Sequence, residues 1–575
     1  MLLGYEITAA VYSSLILIIA FLAIERKGIA QLLRGCIDRY SLAALAAILI
    51  FFLVFSILFV SPVEQLYFDE NIYQAIALNI LNHGNALWCQ FGTGYAQTCY
   101  VNAIYHDPVG WAAIIAIAFA VFGIGPQTAY GLELLVGLLS ILFVFLLASL
   151  LFKRKSYAVL SALAFSLMPM LFIWSRTQAD FDLPFMMLAT LTFLFFAIFM
   201  RRKSLGSFAL FAFSLDLVSY LRMEAILLVP IFAVMVFILG EKGIAETFRE
   251  RTRLVWTSMQ NNTRVLVLLF VFLLLLLPEV YYISLETQNP TYGQPANTSV
   301  LSLANFKANI GTNLSYLFGQ INGISYYPTA FHYAITPLAI LGAFALALDK
   351  KIRNRFGVLI MLLLWFAAYF GFYTSFYAGG ATFGVDSRFF LQILPPLCLL
   401  AAYGILKLAD LARFAFSSRS RNKTGAKLAF GSVAVVLTLV LLVFPFVQLS
   451  GNITLPPQGM PQQSVIRPAL NLFYSNYKSV PQNCLVFSFT PDIWFEANRS
   501  SAQIGYLSGS NSTVKQEITQ YSCYVLDYGY WCVVPPYHDT LCHYLLTKYA
   551  VQNLTSPAPP FGGSNVTFYR ILNYT

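Results

Sequence analysis

The chain has 575 residues, of which 58% are hydrophobic, 16% aromatic and only 10% charged. Soluble globular domains carry about a quarter charged residues, so that class is excluded and a polytopic membrane protein is indicated. The formal net charge of +10 does not point to nucleic acid, because the basic residues fall in short clusters between apolar runs, as loop markers do.

Runs of about 17–25 apolar residues are long enough to cross a bilayer as helices. In chain order they fall at 7–23, 42–60, 129–151, 157–174, 183–200, 207–219, 225–239, 265–283, 331–348, 356–374, 389–408 and 428–449, with 207–219 the shortest. That predicts about twelve spans. The first is followed by Glu25-Arg26-Lys27 rather than by a small-residue cleavage site, and reads as a retained helix. The run Gly110–Phe122 is short for a span and reads as a re-entrant or interface-lying helix.

Basic clusters occur at Arg26-Lys27, Arg34 and Arg39, at Lys153-Arg154-Lys155, at Arg201-Arg202-Lys203, and over 249–253, 350–355 and 413–427. With both termini outside, all of them land on the cytoplasmic side. Glycosylation sequons at Asn297, Asn313, Asn452, Asn498, Asn511, Asn553, Asn565 and Asn573 then lie outside, and those at Asn261 and Asn422 inside. Cysteines agree with this orientation. Cys89 and Cys99 fall in the first external loop, and Cys484, Cys523, Cys532 and Cys542 in the external tail, where disulfides can form. The four tail cysteines allow three pairings, among which the sequence does not choose. Cys36 and Cys398 read as free thiols.

The expected organisation is an extra helix and linker over 1–41, a transmembrane domain over 42–449 with a functional loop at 61–128, and a tail domain over 450–575. In the tail, 484–490, 524–528 and 565–571 read as strands and 513–520 and 539–549 as helices, a small disulfide-tied α/β domain.

The ionisable residues that could carry chemistry collect where external loops meet helices. Asp69-Glu70 closes the stretch after the second span, and adjacent carboxylates at a membrane helix exit are costly to hold there. His106-Asp107-Pro108 follows, then Ser175-Arg176 through Asp180 and Asp182, then Arg222-Met223-Glu224, and finally Asp386-Ser387-Arg388-Phe389-Phe390 before Pro395-Pro396. Carboxylates and three arginines at one membrane face make a site for a lipid-borne anion. Each group also has a plainer reading. The arginines can snorkel to headgroups, His106 can be an ordinary interface histidine, and Asp180 and Asp182 can cap the following helix.

In order and spacing these segments resemble the GT-C membrane glycosyltransferases, in the branch of the protein O-mannosyltransferases and aminoarabinose transferases. The resemblance runs over about 42–408: Asp69-Glu70 after an early helix, His106 through Gly110-Trp111 leading into an amphipathic helix, Ser175-Arg176 through Pro184, Tyr220 through Glu224, and Arg388 through Pro396. An extra helix precedes Asp-Glu here, and the family's double proline after the first loop is a single Pro108.

The resemblance implies a transferase that takes a monosaccharide from a polyprenyl (dolichyl) phosphate within the membrane and passes it, with inversion, to an acceptor hydroxyl on the outer face. Asp69 would be the general base and Glu70 would orient it or the acceptor. Arg222 and Arg388 would hold the leaving phosphate, with Arg176, His106, Asp107, Asp180 and Glu224 as further substrate-binding candidates. The resemblance makes no cofactor certain and leaves open whether a divalent metal assists. The acceptor, whether protein, lipid or glycan, is not specified.

Three other readings stand beside it. Asp527-Tyr528-Gly529-Tyr530-Trp531 is similar to part of the oligosaccharyltransferase Trp-Trp-Asp-Tyr-Gly signature, but lacks the tandem tryptophan. A secondary transporter would show internal repeats and polar breaks at mid-membrane. An envelope binding protein would place its function in the tail.

Overall fold

The computed structural model describes residues 2–60, 69–152, 154–177, 179–238, 263–286, 299–319, 331–349, 355–381, 385–417, 432–454, 473–507, 512–529, 532, 541–555 and 567–573. The sequons at Asn297, Asn511 and Asn565 lie outside the described residues, as do the side chains of Asn452 and Asp386.

Among the described residues, eight helices are long and apolar enough to cross a membrane. In chain order they and the shorter helices that bear on the site are α1 (Leu2–Arg34), α2 (Arg39–Phe59), α3 (Asp69–His83), α4 (Gly110–Phe122), α5 (Pro126–Phe152), α6 (Lys155–Ser166), α7 (Pro169–Trp174), α8 (Asp182–Arg202), α9 (Leu205–Ser219) and α10 (Leu228–Ile238). Then come α11 (Thr263–Glu286), α12 (Leu303–Leu317), α13 (Ile335–Leu348), α14 (Arg355–Ser375), α15 (Leu394–Ser417) and the span Ser432–Ser450. The expected single span 157–174 is instead two helices, α6 and α7, parted at Leu167-Met168. Pro169 cannot donate the backbone bond that would continue α6, and at the first position of α7 that loss costs nothing.

Local chemistry sets some of the helix ends. Asp38 caps α2 by accepting from the Ser41 amide at 2.9 Å, while Ser41 Oγ accepts from the Asp38 amide at 2.9 Å. Gly123, at φ 93°, ends α4. Thirteen residues give α4 a length of about 20 Å, short of the ~30 Å of a bilayer core.

The helix from Arg388 to Leu411 is buried along its whole apolar window and forms the centre of the bundle, while Thr263–Leu285 and Ser432–Ser450 present most of their surface outward. The extra N-terminal helix packs on α9. Ser14 Oγ donates to Asp216, and Glu25 accepts from Arg202 Nη2 at 2.8 Å and Ser204 Oγ at 2.9 Å.

The tail forms the expected α/β unit, but its sheet extends beyond the tail. Seven strands lie in the order β2-β1-β4-β3-β5-β7-β6. β1 (Trp88–Gly92) and β2 (Cys99–Ala103) come from the first loop; β3 (Cys484–Ser488), β4 (Ser501–Gln503), β5 (Cys523–Tyr528), β6 (Val551–Asn553) and β7 (Thr567–Ile571) come from the tail. β1 pairs antiparallel with β4 through Phe91–Ala502 and Gly92–Ser501, so loop and tail share one sheet. Disulfides join Cys89 to Cys99, Cys484 to Cys523 and Cys532 to Cys542, and Cys36 and Cys398 are free.

One expected glycan site does not fit the fold. Asn313 is fully buried; its amide donates to Thr374 Oγ1 at 3.1 Å and to the Gly379 carbonyl at 2.9 Å, and its oxygen accepts from the Ala381 amide. A side chain enclosed by three hydrogen bonds leaves no room for a sugar. Asn498, Asn553 and Asn573 are exposed.

Candidate active site

Asp69 is the first residue of α3, where the free backbone N–H groups favour a carboxylate. Asp182 is the first residue of α8, Arg222 lies in the turn after α9, and Arg388 lies in the short helix Val385–Ile393 that enters α15. The fold brings these distant segments together. Arg222 Nη1 donates to Asp182 Oδ1, and its Nε and Nη2 form a two-point pair with Glu224 at 3.0 and 2.9 Å. Arg388 Nε lies 3.4 Å from Asp182 Oδ2, and its Nη1 lies 3.9 Å from Asp69 Oδ2. Asp69 Oδ1 accepts from the Tyr105 hydroxyl.

The two ends of this cluster differ in access. Asp182 is fully buried and the Arg222 side chain is 7% exposed, whereas Asp69 and Arg388 are 23% and 16% exposed. Arg222 is further enclosed by the rings of Phe181, Phe389 and Tyr373 at 4.8, 5.3 and 5.7 Å. Burial alone pulls the Arg222 guanidinium down, but Asp182 and Glu224 outweigh it and raise its pKa, so the cation is fixed. Backbone contacts hold the frame. Gly110 N donates to the Tyr220 carbonyl at 2.8 Å, and a Cβ there would lie 2.6 Å from that oxygen, so only glycine lets α4 start against this turn. Gln392 Nε2 donates to the Asp182 carbonyl at 3.0 Å.

The other sequence candidates take their places around this core. Asp180 does not contact Arg222; its Oδ1 accepts from the Asp182 amide at 2.8 Å, making it the turn that aims Asp182. Burial, reinforced by the Asp182 charge, raises its pKa. His106 and Asp107 pair at 3.4 Å, the His106 ring rests on Tyr105 at 4.2 Å, and burial raises the Asp107 carboxyl against the pull of His106. Glu70 is buried, one residue along α3 from Asp69. Arg176 stands apart, donating to the Val60 carbonyl at 3.3 Å. Among the described residues no group of three or more His, Cys, Asp or Glu side chains could hold a metal ion.

Two central residues are not singled out by the sequence reading. Asp182, the carboxylate shared by both arginines, stands there among the external carboxylates, with a helix cap as its plainer reading, and is not named among the substrate-binding candidates. Tyr105 carried no signal beyond adjacency to His106. In the tail, the Asp527 carboxylate accepts from Ser488 Oγ at 2.8 Å and Trp494 Nε1 at 2.9 Å inside the sheet domain. The Asp-Tyr-Gly segment there is part of a buried strand and its turn.

Comparison with known proteins adds to this geometry. The family model for dolichyl-phosphate-mannose-protein mannosyltransferase matches residues 106–282. The structure is similar to that of ArnT from Cupriavidus metallidurans bound to undecaprenyl phosphate, with a TM-score of 0.52 at 14% identity over 92% of this chain and 97% of that one. It is also similar to the oligosaccharyltransferase of Archaeoglobus fulgidus in the apo form, with a TM-score of 0.51 at 13% identity over 85% of this chain and 70% of that one. No curated protein matches the sequence. The fold is therefore the one seen in these two structures, in a multi-pass membrane protein.

Proposed function

We propose that this protein transfers a monosaccharide from a polyprenyl-phosphate donor to an acceptor hydroxyl by a single inverting displacement. The active site lies at the outer face of the membrane. The observation that carries the reading is the loose pair of Asp69 and Arg388 at the accessible end of an otherwise closed cluster. A carboxylate positioned beside a cation suits a reaction in which a proton leaves one oxygen as negative charge grows on another.

Arg388 receives the donor phosphate, for which a guanidinium offers two parallel donors. Its contact with Asp69 is long enough to yield to the phosphate, leaving Asp69 to accept the proton of the acceptor hydroxyl. That oxygen attacks the anomeric carbon from the face opposite the phosphate. The carbon–oxygen bond to phosphate breaks, and the electron pair leaves with polyprenyl phosphate, whose charge Arg388 stabilises. Arg222 is already engaged by Asp182 and Glu224 and takes a different part from the one its sequence context implied: it fixes Asp182, against which Arg388 is set. Undecaprenyl phosphate in the ArnT structure supports the donor class.

The test is turnover of mannosyl, glucosyl, galactosyl and pentosyl polyprenyl phosphates by purified protein in detergent. Release of polyprenyl phosphate by the wild type, and its loss in Asp69→Asn, is the expected result. Absence of turnover and of binding with every donor would return the transporter and binding-protein readings.

A further inference from the structure

A run of contacts leads from the tail domain to Asp69, and its meaning rests on the reading of Asp69 as the reacting carboxylate. The short helix Pro491–Glu496 of the tail packs against α3. Its Asp492, fully buried, accepts from Trp88 Nε1 of β1 at 2.8 Å. The Trp88 ring meets Tyr105 edge-on with centroids 6.0 Å apart, and the Tyr105 hydroxyl donates to Asp69 Oδ1. Tyr105 is held on its other sides as well. Tyr73 stands edge-on to it at 5.7 Å, the Tyr105 amide donates to the Tyr282 hydroxyl at 3.0 Å, and the Tyr105 carbonyl accepts from that hydroxyl at 2.7 Å.

We propose that Tyr105 is a positioning residue for Asp69, and that the tail domain sets Tyr105 through the Asp492–Trp88 hydrogen bond. An aspartate has two rotatable bonds. Anchoring Oδ1 on a phenol that cannot itself move leaves Oδ2 as the oxygen facing Arg388 and the accessible side. Burial and the Asp69 charge both keep the phenol protonated, hence a permanent donor. The tail is thereby part of the machinery that aims the base.

The experiment reads kcat and donor KM with full-length protein in detergent and the polyprenyl-phosphate sugars above. Tyr105→Phe keeps the ring and removes the hydroxyl; kcat falls roughly ten- to a hundredfold, the scale set by misplacing a catalytic group. Donor KM stays within about twofold, because ground-state binding is untouched. Asp492→Ala gives a smaller loss of the same kind, and Asp492→Asn, whose side-chain oxygen can still accept from Trp88, recovers most of it. In the double variant Tyr105→Phe/Asp492→Ala the losses are less than multiplicative, as they are for members of one connected network. Unfolding midpoints of the variants separate these effects from misfolding. Wild-type kcat in Tyr105→Phe overturns the proposal while a dead Asp69→Asn leaves the transferase reading standing. Equal losses in Asp492→Asn and Asp492→Ala, or multiplicative losses in the double variant, overturn the tail's part. A wild type inert on every donor removes the transferase reading and this proposal together.

Discussion

Two arginines converge on Asp182 from opposite electrostatic settings. Arg222 is enclosed by rings and engaged by two carboxylates, one of them at two points. Arg388 is 16% exposed and has its carboxylate neighbours at 3.4 and 3.9 Å. A guanidinium with its donors committed in a buried site cannot turn to a new anion without stranding charges, and breaking such a pair costs about 3–5 kcal/mol. A guanidinium with long contacts near solvent can. On the proposed reading the difference separates a charge that builds the site from one that works in it, although in sequence both are an arginine where a loop meets a helix.

That division can be broken or sharpened by substitution. The largest effect belongs to Asp69→Asn, which should lower turnover by roughly 10²–10⁴, the span of general base catalysis, with an unchanged unfolding midpoint in detergent. Arg222→Met should act on stability instead. It strands Asp182 and Glu224 and should cost about 3–5 kcal/mol, read as loss of folded protein in thermal unfolding. If Arg222→Met stays folded and loses only donor binding, the division is wrong. Arg388→Ala should fold normally and lower turnover by roughly 10²–10³, as removal of a transition-state donor does, with Arg388→Lys recovering a part.

The smallest effect concerns pH. Burial raises the Asp492 carboxyl from 3.8 to about 7, against the opposing pull of the Trp88 hydrogen bond. Its neutral form therefore contributes stability that is complete below 3.8, declines as pH rises, and is gone above about 7. Wild-type unfolding midpoints should fall across that window relative to Asp492→Asn, and parallel curves would show that Asp492 does not titrate there.

The sequence revealed what is written locally. Hydropathy located the helices, and Gly110–Phe122 has the ends its composition suggested, because Gly123 stops it. The run 157–174 broke at a proline that length counting ignored. Loop order and charge alternation placed Asp69, Glu224, Arg222 and Arg388 in one neighbourhood, which the fold realises. What stayed hidden depends on distant pairing. β1 finds its partner in β4, and Trp88 finds Asp492, across most of the chain. No periodicity within the first loop announces a strand whose neighbour lies in the tail, and an aromatic such as Tyr105 shows its role only when Asp69 stands against it.

The shared sheet also bears on how the molecule is made. Gly92 pairs with Ser501, about four hundred residues later, so the first hairpin leaves the ribosome long before its sheet partner exists. During that interval β1 is an open edge, a template for wrong pairing. The Cys89–Cys99 bridge closes a ten-residue separation and can hold the hairpin in shape while it waits. The joining of tail and first loop is thus among the last events of synthesis, and until it happens Trp88 has no Asp492 to bond.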